Sequence, residues 1–169
     1  IEMIDAYYAT GKLGAIFVPY NARLSVSELV QLVNNETPKV LFYEEVFADK
    51  IPHLKSGCSV EKYLVLSPGK NPENDTTYAE ATGHGNDAFV GCDELDIEDI
   101  HMIIHTGGTT GLPKGGLISH RCELFNCLNE ICTWNLHHED STLLLLPLFH
   151  TGGWNLLTLP LLHVGGRLV

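Results

Sequence analysis

Apolar positions recur along the chain at two spacings, one helical and one strand-like, and the switches between them predict its elements. Ile4, Tyr7, Tyr8 and Leu13 follow helical spacing, which predicts a helix over residues 1 to 13 that Gly14 ends. Ala15 to Val18 reads as a short buried strand leaving through Pro19. Ser25 and Glu28 have capping-box spacing, and Leu29, Leu32 and Val33 give the helix that follows its apolar face. Asn34, Asn35 and Pro38 should break that helix. Lys39 to Tyr43 reads as a strand buried on both faces, Val46 to Leu54 as a helix interrupted by Pro52, and Tyr63 to Leu66 as a strand. Met102 to Ile104 and the pair Leu117 and Ile118 predict two buried strands around a loop. A helix should then run from Ser119 to about Trp134, with Leu124, Phe125, Leu128 and Ile131 facing the core. Thr142 to Leu146 reads as an apolar strand, Leu156 to His163 as a helix, and Gly166 to Val169 as the start of another strand. This alternation predicts an α/β fold, a largely parallel sheet with helices on both faces.

Between residues 67 and 96 the pattern weakens, and composition becomes the better guide. No Lys or Arg lies between Lys70 and Lys114, whereas Glu73, Asp75, Glu80, Asp87, Asp93, Glu94, Asp96, Glu98 and Asp99 all do, so the stretch reads as a solvated connector. Gly83, Gly85 and Ala88 imitate a dinucleotide fingerprint, but no apolar strand leads into them and no clear helix follows, so they read as loop. The formal net charge of -11 argues against nucleic acid as a partner, which needs clustered basic residues. A chain of 169 residues, 44% of them hydrophobic, can bury a core of its own, and one domain is the natural count. Five cysteines suggest no disulfide framework, there is no apolar run of membrane-spanning length, and no secretory leader is visible, so a reducing cytoplasm is the expected setting. Cys122, Cys127 and Cys132 are spaced about 140° apart on a helix and cannot converge on one metal. His101 with His105, and His137 with His138, lack the further ligands of a zinc site, so no metal ligands are assigned.

Chemistry concentrates in residues 106 to 116, TGGTTGLPKGG. Gly107, Gly108, Gly111 and Gly115 can take positive φ and turn N–H groups inward, Thr106, Thr109 and Thr110 add hydroxyls, and Lys114 adds a cation. That inventory suits polyphosphate oxygens. The Walker ending is missing, since Pro113 precedes Lys114 and Gly115 follows it. A second candidate is His150, set where an apolar run opens into the turn PLFHTGG, as sites on open α/β sheets lie beyond strand ends.

The run HTGGTTGLPKG, residues 105 to 115, resembles the signature loop YTSGTTGxPKG of the adenylate-forming enzymes, which include acyl-CoA synthetases, luciferases and peptide-synthetase adenylation domains. PLFHTGG, residues 147 to 153, resembles that family's second motif, and residues 9 to 29 resemble it more diffusely. Two departures stand out, His105 for the usual aromatic and Gly107 for the usual serine. The resemblance implies ATP, Mg²⁺ and CoA, and activation of a carboxylic acid as an acyl-adenylate. It implies nucleotide binding by Thr106, Gly107, Gly108, Thr109, Thr110, Gly111 and Lys114, with Lys114 on the phosphates and His150 near the acyl group as catalytic residues. The adenine, ribose and metal motifs and the mobile C-terminal domain of such enzymes have no counterpart in residues 1 to 169, which are therefore expected to be a partial N-terminal AMP-binding domain truncated at both ends, inactive alone. The apolar surroundings of Phe149, Trp154, Leu156 and Leu157 favour a fatty or aromatic acid. An amino-acid adenylation domain and a non-catalytic nucleotide-binding module are the alternatives.

Overall fold

Local chemistry sets most element boundaries in the computed structural model, which describes residues 1–66, 74–83, 85, 88, 90–107 and 113–169. In chain order these are α1 Glu2–Leu13, α2 Val26–Glu36, β1 Val40–Tyr43, a 3-10 turn Glu45–Lys50, α3 Ile51–Gly57, β2 Lys62–Val65, β3 Thr76–Thr77 and α4 Tyr78–Gly83. There follow β4 Ile100–Thr106, β5 Lys114–Ser119, α5 His120–Trp134, β6 Ser141–Thr142, α6 Thr151–Asn155, α7 Thr158–His163 and β7 Arg167–Leu168. Two compact units result, Ile1–Asn21 with Val90–Val169, and Ala22–Phe89.

The unit Ala22–Phe89 begins with the expected capping box: the Glu28 N–H donates to Ser25 Oγ at 3.3 Å and the Ser25 N–H to Glu28 Oε2 at 2.9 Å. Leu29, Leu32 and Val33 are the buried face of α2. The helix runs through Asn34 and Asn35 instead of breaking there. Its end is set by left-handed Thr37 (φ 46°), whose N–H bonds to Val33 O, with Pro38 next. Strands β1, β2 and β3 pair in parallel in that order. β1 is buried on one face only, with Leu41 and Tyr43 inward and Val40 and Phe42 outward, because only the first pair meets this unit's core. Pro52 lies in the first turn of α3 and opens that helix instead of interrupting one, since the N–H it lacks would have no helical acceptor there. The acidic stretch is not all solvated connector. Asp75, its side chain 12% exposed, accepts from Lys55 Nζ at 2.8 Å and from the Tyr43 hydroxyl at 2.9 Å. Glu80 accepts from the Thr77 N–H at 2.8 Å and so opens α4. Gly83 ends that helix, which precedes Gly85 and Ala88.

In the other unit Gly14 closes α1 in the left-handed conformation (φ 68°), as expected. The strand expected at Ala15 to Val18 reduces to one parallel bridge, in which Phe17 donates to His101 O at 2.7 Å and accepts from the Ile103 N–H at 3.0 Å, while Ile16 is half exposed. β4 and β5 form an antiparallel hairpin that pairs Ile100 with Ser119 and, past a register shift at His101, runs from Met102 with Ile118 to Thr106 with Lys114. β4 is buried; β5 is not, with Leu117 65% exposed, because β4 is its only strand partner among the described residues. Ser119 caps α5 and left-handed Asn135 ends it, close to the expected limits. The buried face is different: Glu123 and Cys127 point inward, while Phe125 and Leu128 are exposed. Glu123 can sit there because Tyr7 and His101 bond it. The strand expected to continue to Leu146 stops at Thr142, paired in parallel with β7. Leu144 N–H still reaches Val169 O at 2.9 Å, but Leu145 N–H turns back to Leu143 O at 3.0 Å and Pro147 follows, which ends the pairing there. Where one helix was expected over Leu156 to His163, α7 begins at Thr158. The core of this unit joins Tyr7, Phe17, Met102, Ile104, Cys127, Trp154 and Leu159. Among the described residues β1, β2 and β3 form one parallel sheet, β6 and β7 a parallel pair and β4 and β5 an antiparallel hairpin, in agreement with a mixed α/β fold whose strands pair largely in parallel.

Candidate phosphate-loop site

The signature run spans the turn of the β4–β5 hairpin, so strand pairing fixes both of its ends. Thr106 and Lys114 are register partners, and the Thr106 hydroxyl donates to Lys114 O at 3.3 Å. Lys114 and Gly107 are exposed. Gly108, Thr109, Thr110 and Gly111 lie outside the described residues. The left-handed conformation expected of the loop glycines does not occur at Gly107 or Gly115: Gly115 is extended in β5, and the described glycines with positive φ are Gly14 and Gly165. A Cβ at Gly107 would meet no atom within 4 Å, so a side chain fits there.

Below the loop, His105 takes the place of an aromatic physically as well as in the motif. It is buried and its ring stacks on Tyr20, with centroids 5.7 Å apart and an 18° angle between planes.

His150 is the N-cap of α6, where Nδ1 accepts from the Gly152 N–H at 3.4 Å. That acceptor role leaves the proton of the neutral ring on Nε2, and the side chain is exposed. The turn beneath it is held from below. Trp154 is fully buried, donates through Nε1–H to Leu148 O, stacks on Tyr7 at 4.9 Å and meets Phe17 edge-on at 5.4 Å. Thr158 donates to Gly153 O, and Asn126 of α5 donates to Asn155 O at 2.7 Å. Gly153 has to be glycine, because a Cβ would lie 2.3 Å from Pro147 O. Both motifs are thus anchored to one core, the loop through β4 and the His150 turn through Trp154. Thr106 and Lys114 are brought together, whereas no hydrogen bond or ion pair joins Lys114 to His150.

Sequence reasoning missed a buried polar cluster beneath the hairpin. His101 Nδ1 lies 2.8 Å from Glu123 Oε2, which also accepts from the Tyr7 hydroxyl at 2.8 Å, and the ring of His120 stacks on His101 at 4.5 Å. Burial and the neighbouring Glu123 carboxylate push the Tyr7 hydroxyl well above its ordinary range, while burial and His101 hold His120 below the usual histidine value. No local signal marks this cluster, because its members come from α1, β4 and α5, far apart in the chain.

A family model described as AMP-binding enzyme matches residues 1–169. An indoleacetate–CoA ligase of Aromatoleum aromaticum is 33% identical over 154 residues, covering 91% of this chain and 30% of its own length. Among solved structures, a long-chain-fatty-acid-CoA ligase from Archaeoglobus fulgidus superposes with a TM-score of 0.85 at 25% identity, covering 98% of this chain and 32% of that one. ATP-bound MatB from Rhodopseudomonas palustris matches with a TM-score of 0.78 at 26% identity, covering 96% of this chain and 31% of that one. The chain therefore spans about 30% of the length of the curated relative it matches. With the hairpin, its loop and the His150 turn in family order, the chain belongs to the AMP-binding enzyme family.

Proposed function

We propose that the complete protein is an AMP-forming acid–thiol ligase, and that residues 1–169 are the part of its N-terminal AMP-binding domain that grips phosphate and faces the acyl group. The observation that carries this reading is the hairpin that closes Thr106 against Lys114 at the two ends of the signature loop. In the proposed reaction a carboxylate oxygen attacks the α-phosphorus of ATP, the bond to the bridging oxygen of the β-phosphate breaks, and pyrophosphate leaves. The sulfur of CoA then attacks the acyl carbon and AMP leaves with the carbon–oxygen electron pair. Lys114, exposed at the start of β5, neutralises charge on the β- and γ-phosphates, and the loop donors from Thr106 to Gly111 orient them. His150 stands at the acyl side. ATP as the nucleotide is supported by the match to the ATP-bound structure. The described hairpin ends offer a hydroxyl at Thr106 and a cation at Lys114 but no carboxylate, so Mg²⁺ would arrive on the triphosphate, where it supplies charge neutralisation.

A fatty or aromatic acid is the proposed substrate class, since one relative is named for indoleacetate and a structural neighbour for long-chain fatty acids. The 169 residues by themselves should form no acyl-adenylate, being about 30% of such a relative's length. The test is mass spectrometry of the complete protein incubated with ATP, Mg²⁺, CoA and a panel of fatty and aromatic acids. Acyl-AMP without CoA and acyl-CoA with it are expected; ATP cleavage to ADP, or no acid-dependent product at all, would overturn the proposal.

A further inference from the structure

We propose that Asn126 and Asn155 form a two-step brace that holds the His150 turn, and that Asn126 is thereby a positioning residue for the acyl side, a role that rests on the function proposed above. The helix that His150 caps, α6 Thr151–Asn155, is five residues long, and so short a helix does not hold itself in water. Its first turn is closed from within: His150 Nδ1 accepts from the Gly152 N–H at 3.4 Å, and His150 O from the Gly153 N–H at 2.9 Å. At the other end the last carbonyls have no acceptor role inside the helix. Asn126 Nδ2 reaches one of them, Asn155 O, at 2.7 Å. A carbonyl only accepts, which fixes the Asn126 amide with its NH₂ toward α6. The Asn155 side chain then donates to Thr151 Oγ1 at 2.9 Å and returns the tie to the residue beside His150.

Asn126 is placed by the phosphate-side hairpin. β5, which opens with Lys114, runs directly into α5 at Ser119, whose hydroxyl caps the helix by accepting from the Cys122 N–H at 3.3 Å. Asn126 follows on that helix roughly 10 Å along its axis. One continuous element thus joins the strand of Lys114 to a donor aimed at the helix of His150. The other ties to the turn, Trp154 to Leu148 O and Thr158 to Gly153 O, secure the middle of α6, whereas Asn126 and Asn155 secure its ends. Burial pushes the Glu130 carboxyl up and the Asn126 amide draws it partly back, so the amide faces Glu130 as well. Asn155 Oδ1 and Glu130 Oε2 are buried and find no hydrogen-bond partner among the described residues. A buried polar atom left unpaired costs stability, so stability alone does not account for these side chains.

The brace acts on one side of the site only. Asn155 is followed by half-exposed Leu156, one of the apolar residues expected around the acid, and a shift of α6 carries Leu156 and His150 with it. The hairpin is held separately, where Phe17 donates to His101 O and accepts from the Ile103 N–H, so Thr106 and Lys114 stay in place. Loss of the brace should therefore disturb how the acid is placed and spare how the nucleotide is held.

Two variants of the complete protein test the brace. Asn126→Leu keeps the volume and removes the donor, while Asn155→Ala keeps the bond to the main chain and removes the tie to Thr151. In Asn126→Leu, kcat/KM for the acids should fall by roughly tenfold, the worth of one net hydrogen bond, with acid preference altered and KM for ATP held. Hydrogen exchange read by mass spectrometry should quicken by a similar factor over α6 and stay as in the wild type over β4. Asn155→Ala should move both readouts the same way by less, and it decides the matter if Asn126→Leu does not fold. Wild-type exchange over α6 in both variants would overturn the brace, because α6 would then hold without it. Exchange that quickens equally in β4, with the acid and ATP parameters falling together, would also overturn it, as a general loss of stability. Quickening confined to α6 in a protein without any acid-dependent pyrophosphate release would instead sink the functional reading, and the positioning role with it.

Discussion

Gly153 and Gly107 occupy comparable places in two glycine-rich motifs and respond to opposite constraints. A Cβ at Gly153 would press into Pro147 O at 2.3 Å, so Gly153→Ala should cost about 1–3 kcal/mol, read as a lower urea midpoint at unchanged slope. Gly107→Ser meets open space and should leave that midpoint where it is. The two proposed catalytic side chains should likewise fail differently. Lys114→Ala removes the cation proposed to meet the leaving phosphates, so on that reading adenylation in the complete protein should slow by roughly 10²–10³. His150→Ala should change acid preference while ATP affinity stays nearly intact; a loss of ATP binding equal to that of Lys114→Ala, with acid preference unmoved, would contradict the division. At this scale glycine, threonine and lysine mark the motif by type, which is why the proposal could be made from the sequence. The stack of His105 on Tyr20 was not legible, since it joins residues far apart in the chain.

The capped starts of α2 and α5 were legible, as was the apolar face of α2, whereas the buried face of α5 was not. A cap acts within one turn, so Ser119 could be read locally, as could the box of Ser25 and Glu28. Ser25→Ala should lower stability by about 1 kcal/mol, again as a midpoint shift. Which face of α5 is buried depends on partners from α1 and β4, and the polar Glu123 won a core position through Tyr7 and His101 while Phe125 stayed exposed. The same burial, with Glu123 and Glu130 nearby, pushes the Cys127 thiol up to about 11. Cys127 should therefore resist alkylation at pH 8.5 under conditions that label exposed Cys92, Cys122 and Cys132. Because the folded thiol keeps a proton that the unfolded one releases, its contribution to stability should decline from about pH 8.5 upward, towards about 11. Strands were read less well than helices. Apolar runs such as Leu143 to Leu146 carry no mark of whether a partner strand will meet them, and here only Ser141 and Thr142 pair with β7.

For the molecule as a whole, the alternation of strand and helix was enough to give the α/β class, and the ordered motifs were enough to give the family. No helix among the described residues is long and apolar enough to cross a membrane. The pairing of β4 with β5 sets Thr106 opposite Lys114 at the open end of a strand whose base is buried, which is where the proposed phosphate site lies. The central claim is that this hairpin serves acid-dependent attack on ATP. The most direct measurement is ATP–pyrophosphate exchange by the complete protein, with and without a panel of fatty and aromatic acids, in the wild type and in Lys114→Ala. Exchange that requires an acid and falls by roughly 10²–10³ in the variant is the predicted result. Exchange indifferent to every acid, or undiminished without Lys114, would contradict the account.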